Sequence, residues 1–253
     1  MKRWNLITLP LAVPLARLIT VFSTFAVAAA EHDHRDRHSH DMLDQMRFTH
    51  LQVDELEWRN GDGTESAHWN AEAYYGDSLH RIGIETEGER NDGTTERANG
   101  ELLYRYAVAP FWDMKLGWRH DFQPSPQRDW LAIGIDGLAP YGIDSEAMLY
   151  LGDSGRALLE LKLGYELLLT QRLSLQPEFK LRLASEEDRD THSGDGWNHA
   201  EAGLRLRYDI TRKFAPYVGV VWERAYGDSA DFMQANGEDV ERTQIIAGLH
   251  FWL

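Results

Sequence analysis

Cysteine is absent from this 253-residue chain, so no disulfide can brace whatever fold it takes. Long apolar runs are scarce as well. With 26% charged residues and a mean hydropathy of -0.49, the chain cannot build a bundle of membrane-spanning helices. Low mean hydropathy does not exclude a membrane β-barrel, in which alternate residues face a polar interior. Basic residues are also in deficit: 26 Lys and Arg stand against 41 Asp and Glu, for a formal net charge of -15. A chain this acidic does not bind nucleic acid through its phosphates; its field draws cations instead. What is plentiful is aromatic residues, 11% of the chain with nine Trp, a supply that suits interfacial girdles.

Residues 1–30 read as a secretory signal. Lys2 and Arg3 give a basic start, Leu18 to Ala28 an apolar core, and Ala28 to Ala30 a small-residue cleavage site. Arg17 interrupts the apolar run and leaves it too short for a transmembrane helix. Cleavage would remove three positive charges and no acid, making the exported chain still more acidic. Residues 31–47 are polar and crowded with histidine, with too little apolar surface to offset chain entropy. They are expected to form a short disordered arm ahead of a single domain over 48–253.

From Phe48 onward the chain alternates with period two. Ala67, Trp69, Ala71, Ala73 and Tyr75 share one face, and His68, Asn70, Glu72 and Tyr74 the other. Alternation also settles 156–169, whose Leu, Glu and Lys content would suit a helix: every second residue from Ala157 to Leu169 is apolar, opposite Glu160, Lys162 and Glu166. The register shifts at Asp54-Glu55, which predicts a bulge. Around 129–138 the register is ambiguous, because Trp130 and Leu131 compete for the apolar face, and Pro177 interrupts an otherwise regular strand without an evident reason. The last strand places Ile245, Ala247, Leu249, Phe251 and Leu253 on one face. About twelve such strands can be drawn. The longest connections, Ser185–Gly196 and Arg224–Asp239, fall on the side opposite the termini, and short ones such as Thr170 to Arg172 fall on the same side as the termini. The pattern predicts an all-β, antiparallel transmembrane barrel of about twelve strands in a Gram-negative outer membrane, with its arm in the periplasm.

Two sets of residues bear on chemistry. In the arm, His32, His34, His38 and His40 interleave with Asp33, Asp36 and Asp41, and Met42 and Met46 add thioethers. Imidazole suits Cu(II), Ni(II) and Zn(II), and thioether suits Cu(I), so the mixture leans toward copper ions of either oxidation state. The alternative is a soluble leader that never meets a metal, since His-rich tracts are compositional signals. The proposed lumen carries Glu72, Glu85, Glu101, Glu146, Glu160, Glu178 and Glu201 among Arg and Lys residues. A ring of carboxylates favours cation passage, whereas acids and bases paired across the interior would fill it. His68, Met148, His199 and His250 face the lumen by parity and are either metal stations or ordinary barrel residues. Catalysis has little support: His192-Ser193 lies in a polar loop with no oxyanion-hole motif.

Several separated runs resemble the copper resistance protein B family, in order and over nearly the whole chain from Met42. They include Glu201 to Ile210 (EAGLRLRYDI), Phe214 to Arg224 (FAPYVGVVWER), Gly137 to Pro140, Tyr165 to Thr170, Ala230 to Phe232 and Gly237 to Val240. Leu56 to Trp58 and Thr86 to Glu89 match near the start. The resemblance implies an outer-membrane barrel in contact with lipid that acts with periplasmic copper-handling proteins, binding copper or passing it outward. Family members often carry a longer Met- and His-rich N-terminal region, of which only Glu31 to Met46 is present here. The expected function is therefore copper binding with export or sequestration. The rivals are a non-selective porin or structural barrel and, from a third class, a lipid-modifying barrel enzyme.

Overall fold

The computed structural model describes residues 47–253 apart from 62, 92, 189–193 and 238. The leader expected over 1–30, the arm residues up to Met46 and the pair His192-Ser193 lie outside the described residues. Among those described, thirteen antiparallel strand segments form one sheet that closes on itself. They run β1 (Phe48–Gly61), β2 (Thr64–Gly76), β3 (His80–Asn91), β4 (Thr94–Ala109), β5 (Trp112–Gln123), β6 (Arg128–Ala139) and β7 (Ile143–Gly152). The remainder are β8 (Ala157–Tyr165), β9 (Leu167–Leu168), β10 (Leu173–Ala184), β11 (Gly196–Tyr208), β12 (Phe214–Ala225) and β13 (Glu241–Trp252). β8 and β9 are two parts of one stave, so the barrel has twelve staves, closed by pairing of β13 with β1. Closure leaves no open edge, the condition for spanning lipid with strands.

The outer wall is apolar. Ile82 (60% exposed), Leu102 (50%), Val218 (55%) and Ile245 (66%) point away from the barrel. Each such side chain gains about 1.5–3 kcal/mol on leaving water for lipid. Tyr75, Tyr106, Phe111, Tyr141 and Tyr208 ring the end that holds Phe48 and Trp252, here called the terminal end. Trp58, Trp118, Phe122 and Trp197 lie toward the opposite, loop end. Not every Trp joins a girdle: Trp130 turns inward and donates its indole N–H to Asp121 Oδ2 at 2.7 Å. That resolves the ambiguous register of β6, with Leu131, Ile133 and Ile135 outward.

The bulge stands where the sequence puts it. Pairing of β1 slips between Val53 and Leu56, so Asp54 and Glu55, though adjacent, both line the interior. Pro177 also finds its reason. Leu169 N–H donates to Leu173 O and Ser185 N–H to Ala157 O, which fixes the phase of the β8–β10 ladder. In that phase Pro177 and Tyr165 fall opposite each other at a hydrogen-bonding position, and the N–H that this position would use is missing just where β8 breaks into β9. On its other side Pro177 faces Leu204 at a position that requires no donor, because Asp209 N–H to Arg172 O sets the opposite phase there. The proline costs one ladder bond and no more.

One element departs from the sequence reading. The long connection after β12 contains helix α1 (Gly227–Asn236), ended by Gly237 in the left-handed region at φ 76°. Gly194 N–H donates to Ser229 Oγ at 2.7 Å and ties this helix to the approach of β11.

Candidate functional site in the barrel interior

Inward-facing residues of the staves build a polar interior with two apolar patches. Leu103, Ala132, Met148, Tyr150 and Leu158 form one patch; Tyr217, Val221 and Ile246 form the other. The second depends on Gly248, since a Cβ there would stand 2.5 Å from Tyr217 Cζ. Most remaining inward positions are charged, and the charges are organised in pairs.

All seven lumen acids have a basic partner. Glu72 meets Arg105 at 3.0 Å, Glu85 meets Lys115 at 3.1 Å, and Glu146 meets the same Lys115 at 2.6 Å. Glu101 lies 3.6 Å from Arg119, and it also accepts a hydrogen bond from Tyr150 at 2.9 Å. Glu160 meets Arg182 at 2.7 Å, Glu178 meets Lys162 at 3.3 Å, and Glu201 meets Arg59 at 3.3 Å. The interior is therefore a network of compensated charge and not an open ring of carboxylates. Its centre is Arg59, fully buried, which also donates to Glu57 at 2.8 Å and lies 3.6 Å from Glu55. Arg205 closes the loop from the other side, 2.7 Å from Glu57 and 3.3 Å from both Glu55 and Glu178. Such burial is repaid only when each partner is well satisfied, so the network fixes geometry more than it adds stability.

Two cavities interrupt this network. The larger, about 480 Å³, opens at the terminal end and is lined by Gln52, Asp54, Asp144, Glu166, Arg207 and His250. The smaller, about 100 Å³, lies toward the loop end among Asn70, Glu87, Arg97, Met148, His199 and Glu201. Glu146 and Lys162 line both cavities.

Of the four lumen stations, Met148 and His199 line the smaller cavity, His250 the larger, and His68 neither. His250 sits at the larger cavity with Nδ1 3.7 Å from Asp54 Oδ1. His68 is buried, its Nε2 2.9 Å from Glu55 Oε2, and so belongs to the Arg59 network. Met148 packs against Gly134 within the first apolar patch. His199 faces the smaller cavity, and here, alone among the described residues, metal-type donors converge: one ligand atom each from His199, Glu201 and Glu223 lie within 4.8 Å of one another. Glu223 was not singled out from the sequence, although the alternation of β12 already places it inward. Its proximity to Glu201 follows from the β11–β12 register, in which the two pair directly.

Comparison with known proteins decides the lineage of this barrel. The family model described as "Copper resistance protein B precursor (CopB)" matches residues 47–253. The chain belongs to this family. The copper resistance protein B of Escherichia coli is 40% identical over 200 residues, covering 79% of this chain and 68% of that protein. The copper resistance protein B homolog of Pseudomonas syringae pv. tomato is 38% identical over 213 residues, covering 84% of this chain and 72% of the homolog. Among solved structures, the NanC porin superposes with a TM-score of 0.53 at 12% identity, covering 79% of this chain and 98% of the porin. At that identity the likeness concerns the fold alone, and it supports the outer-membrane barrel architecture. Both copper resistance relatives are named for resistance to the metal and not for a catalysed reaction. The copper resistance role is thus a family property; how copper is handled is a separate matter.

Proposed function

We propose that this member of the copper resistance protein B family resides in the outer membrane, binds copper ions, and sequesters them or hands them outward by ligation instead of free diffusion. It acts without catalysis. The observation that carries this reading is the charge-compensated interior. A general porin offers a continuous water-filled channel, whereas here the lumen acids are held by Arg and Lys.

The terminal end faces the periplasm in this proposal, as short turns and both strand termini on that side support. In this reading His32, His34, His38, His40, Met42 and Met46 of the arm collect copper from periplasmic copper-handling proteins. Copper titration of the full chain, with and without these six residues replaced by Ala, tests the capture step. Fewer copper ions per chain in the replaced form is the expected result. Unchanged stoichiometry removes the arm from the mechanism.

A further inference from the structure

On β11, His199 and Glu201 are two residues apart and share the inward face. Glu223 of β12 stands directly opposite Glu201. Two like charges facing each other across a ladder repel, and a cation between them relieves the repulsion. Part of that relief comes from the chain itself. Arg59 holds Glu201 Oε2 at 3.3 Å, Lys180 lies 3.7 Å from Glu201 Oε1, and Arg242 lies 3.1 Å from Glu223 Oε1. Even so, Oε1 of each buried carboxylate receives no hydrogen bond. The His199 ring holds no close acid either: Glu223 Oε2 is 3.9 Å away, beyond hydrogen-bonding reach, while Arg182 stands opposite His199 across the β10–β11 ladder. Nearby, Gln244 on β13 is 1% exposed, and neither its amide nitrogen nor its amide oxygen has a partner. It occupies the inward position next to Arg242, which itself pairs with Glu223. A buried amide left unmatched in this way marks a place where further ligation is expected.

We propose that His199, Glu201 and Glu223 form a Cu(II) site at the loop-end side of the lumen. The inference rests on the copper reading above and extends it to a position and an oxidation state. One imidazole nitrogen and two carboxylate oxygens suit a divalent ion of borderline character, whereas Cu(I) seeks thiolate or thioether. Zn(II) accepts the same donors, but at a given nitrogen and oxygen site Cu(II) binds more tightly. The site opens on the smaller cavity through His199, so an ion within the lumen reaches it. Arg59 then remains as an outer partner that orients Glu201, while Arg242 competes with the ion for Glu223 Oε1.

The test uses the full chain with His32, His34, His38 and His40 replaced by Ala to silence the arm. Cu(II) retained per chain is measured by elemental analysis, and its ligands by electron paramagnetic resonance. The parent should retain one Cu(II) that shows coupling to a single imidazole nitrogen. His199→Gln should abolish that coupling, and Glu223→Gln should weaken retention by about tenfold or more. Arg242→Gln, which removes a competing cation, should strengthen it, a change that a merely structural cluster would not produce. Heat-modifiable migration on gels confirms that each variant is a folded barrel. Copper retained by the parent and indifferent to all three substitutions overturns this site while leaving the copper reading intact. No copper retained by the unmodified full chain overturns both.

Discussion

Arg59 shows at the scale of one residue what the sequence could and could not disclose. Alternation along β1 places it inward with Glu55 and Glu57, and alternation along β11 does the same for Glu201. That Arg59 Nη1 reaches Glu201, 142 residues away, depends on how the sheet closes and staggers, which no local pattern records. The same reasoning separates Glu223, legible as inward, from the His199–Glu201–Glu223 grouping, which only the register assembles. Because Arg59 is fully buried among three carboxylates, Arg59→Met leaves uncompensated charge and should cost about 3–5 kcal/mol in urea unfolding of the reconstituted barrel. The exposed pair Arg224–Glu241, at 3.4 Å, provides the contrast: Arg224→Met should cost less than about 1 kcal/mol. Equal losses from the two substitutions would mean that the interior network does not hold the geometry assigned to it.

Strands were the most legible elements because each writes its two faces into the sequence with period two. The bulge at Asp54-Glu55 was readable for the same reason, as a break in that period, and it delivers two consecutive acids to the interior. Helix α1 was not readable: it is short, lies in a polar connection, and carries no apolar stripe that would announce a helical period. Pro177 was visible as an anomaly but explicable only once the ladder phase assigned its missing donor to Tyr165. Replacing Pro177 by Ala should restore that bond and slow amide exchange over Tyr165 to Leu168. Global stability should hardly move, since a net gain of about 0.5–1.5 kcal/mol from the bond is offset by about 0.4–1 kcal/mol of unfolded-state entropy. Unaltered exchange would show that the break between β8 and β9 has another cause.

At the scale of the whole molecule, an apolar belt and a closed ladder make a membrane barrel, and compensated charge lines its inside. The family's copper resistance role belongs to this chain, and the proposal drawn from its interior is that it engages copper by ligands instead of sieving solutes. Conductance of the full chain in planar bilayers tests that description most directly. In potassium chloride the barrel should pass far less current than an open porin, and micromolar Cu(II) should change what current there is. Large conductance steps that scale with salt and ignore Cu(II) would contradict the account, and would make the barrel a non-selective pore.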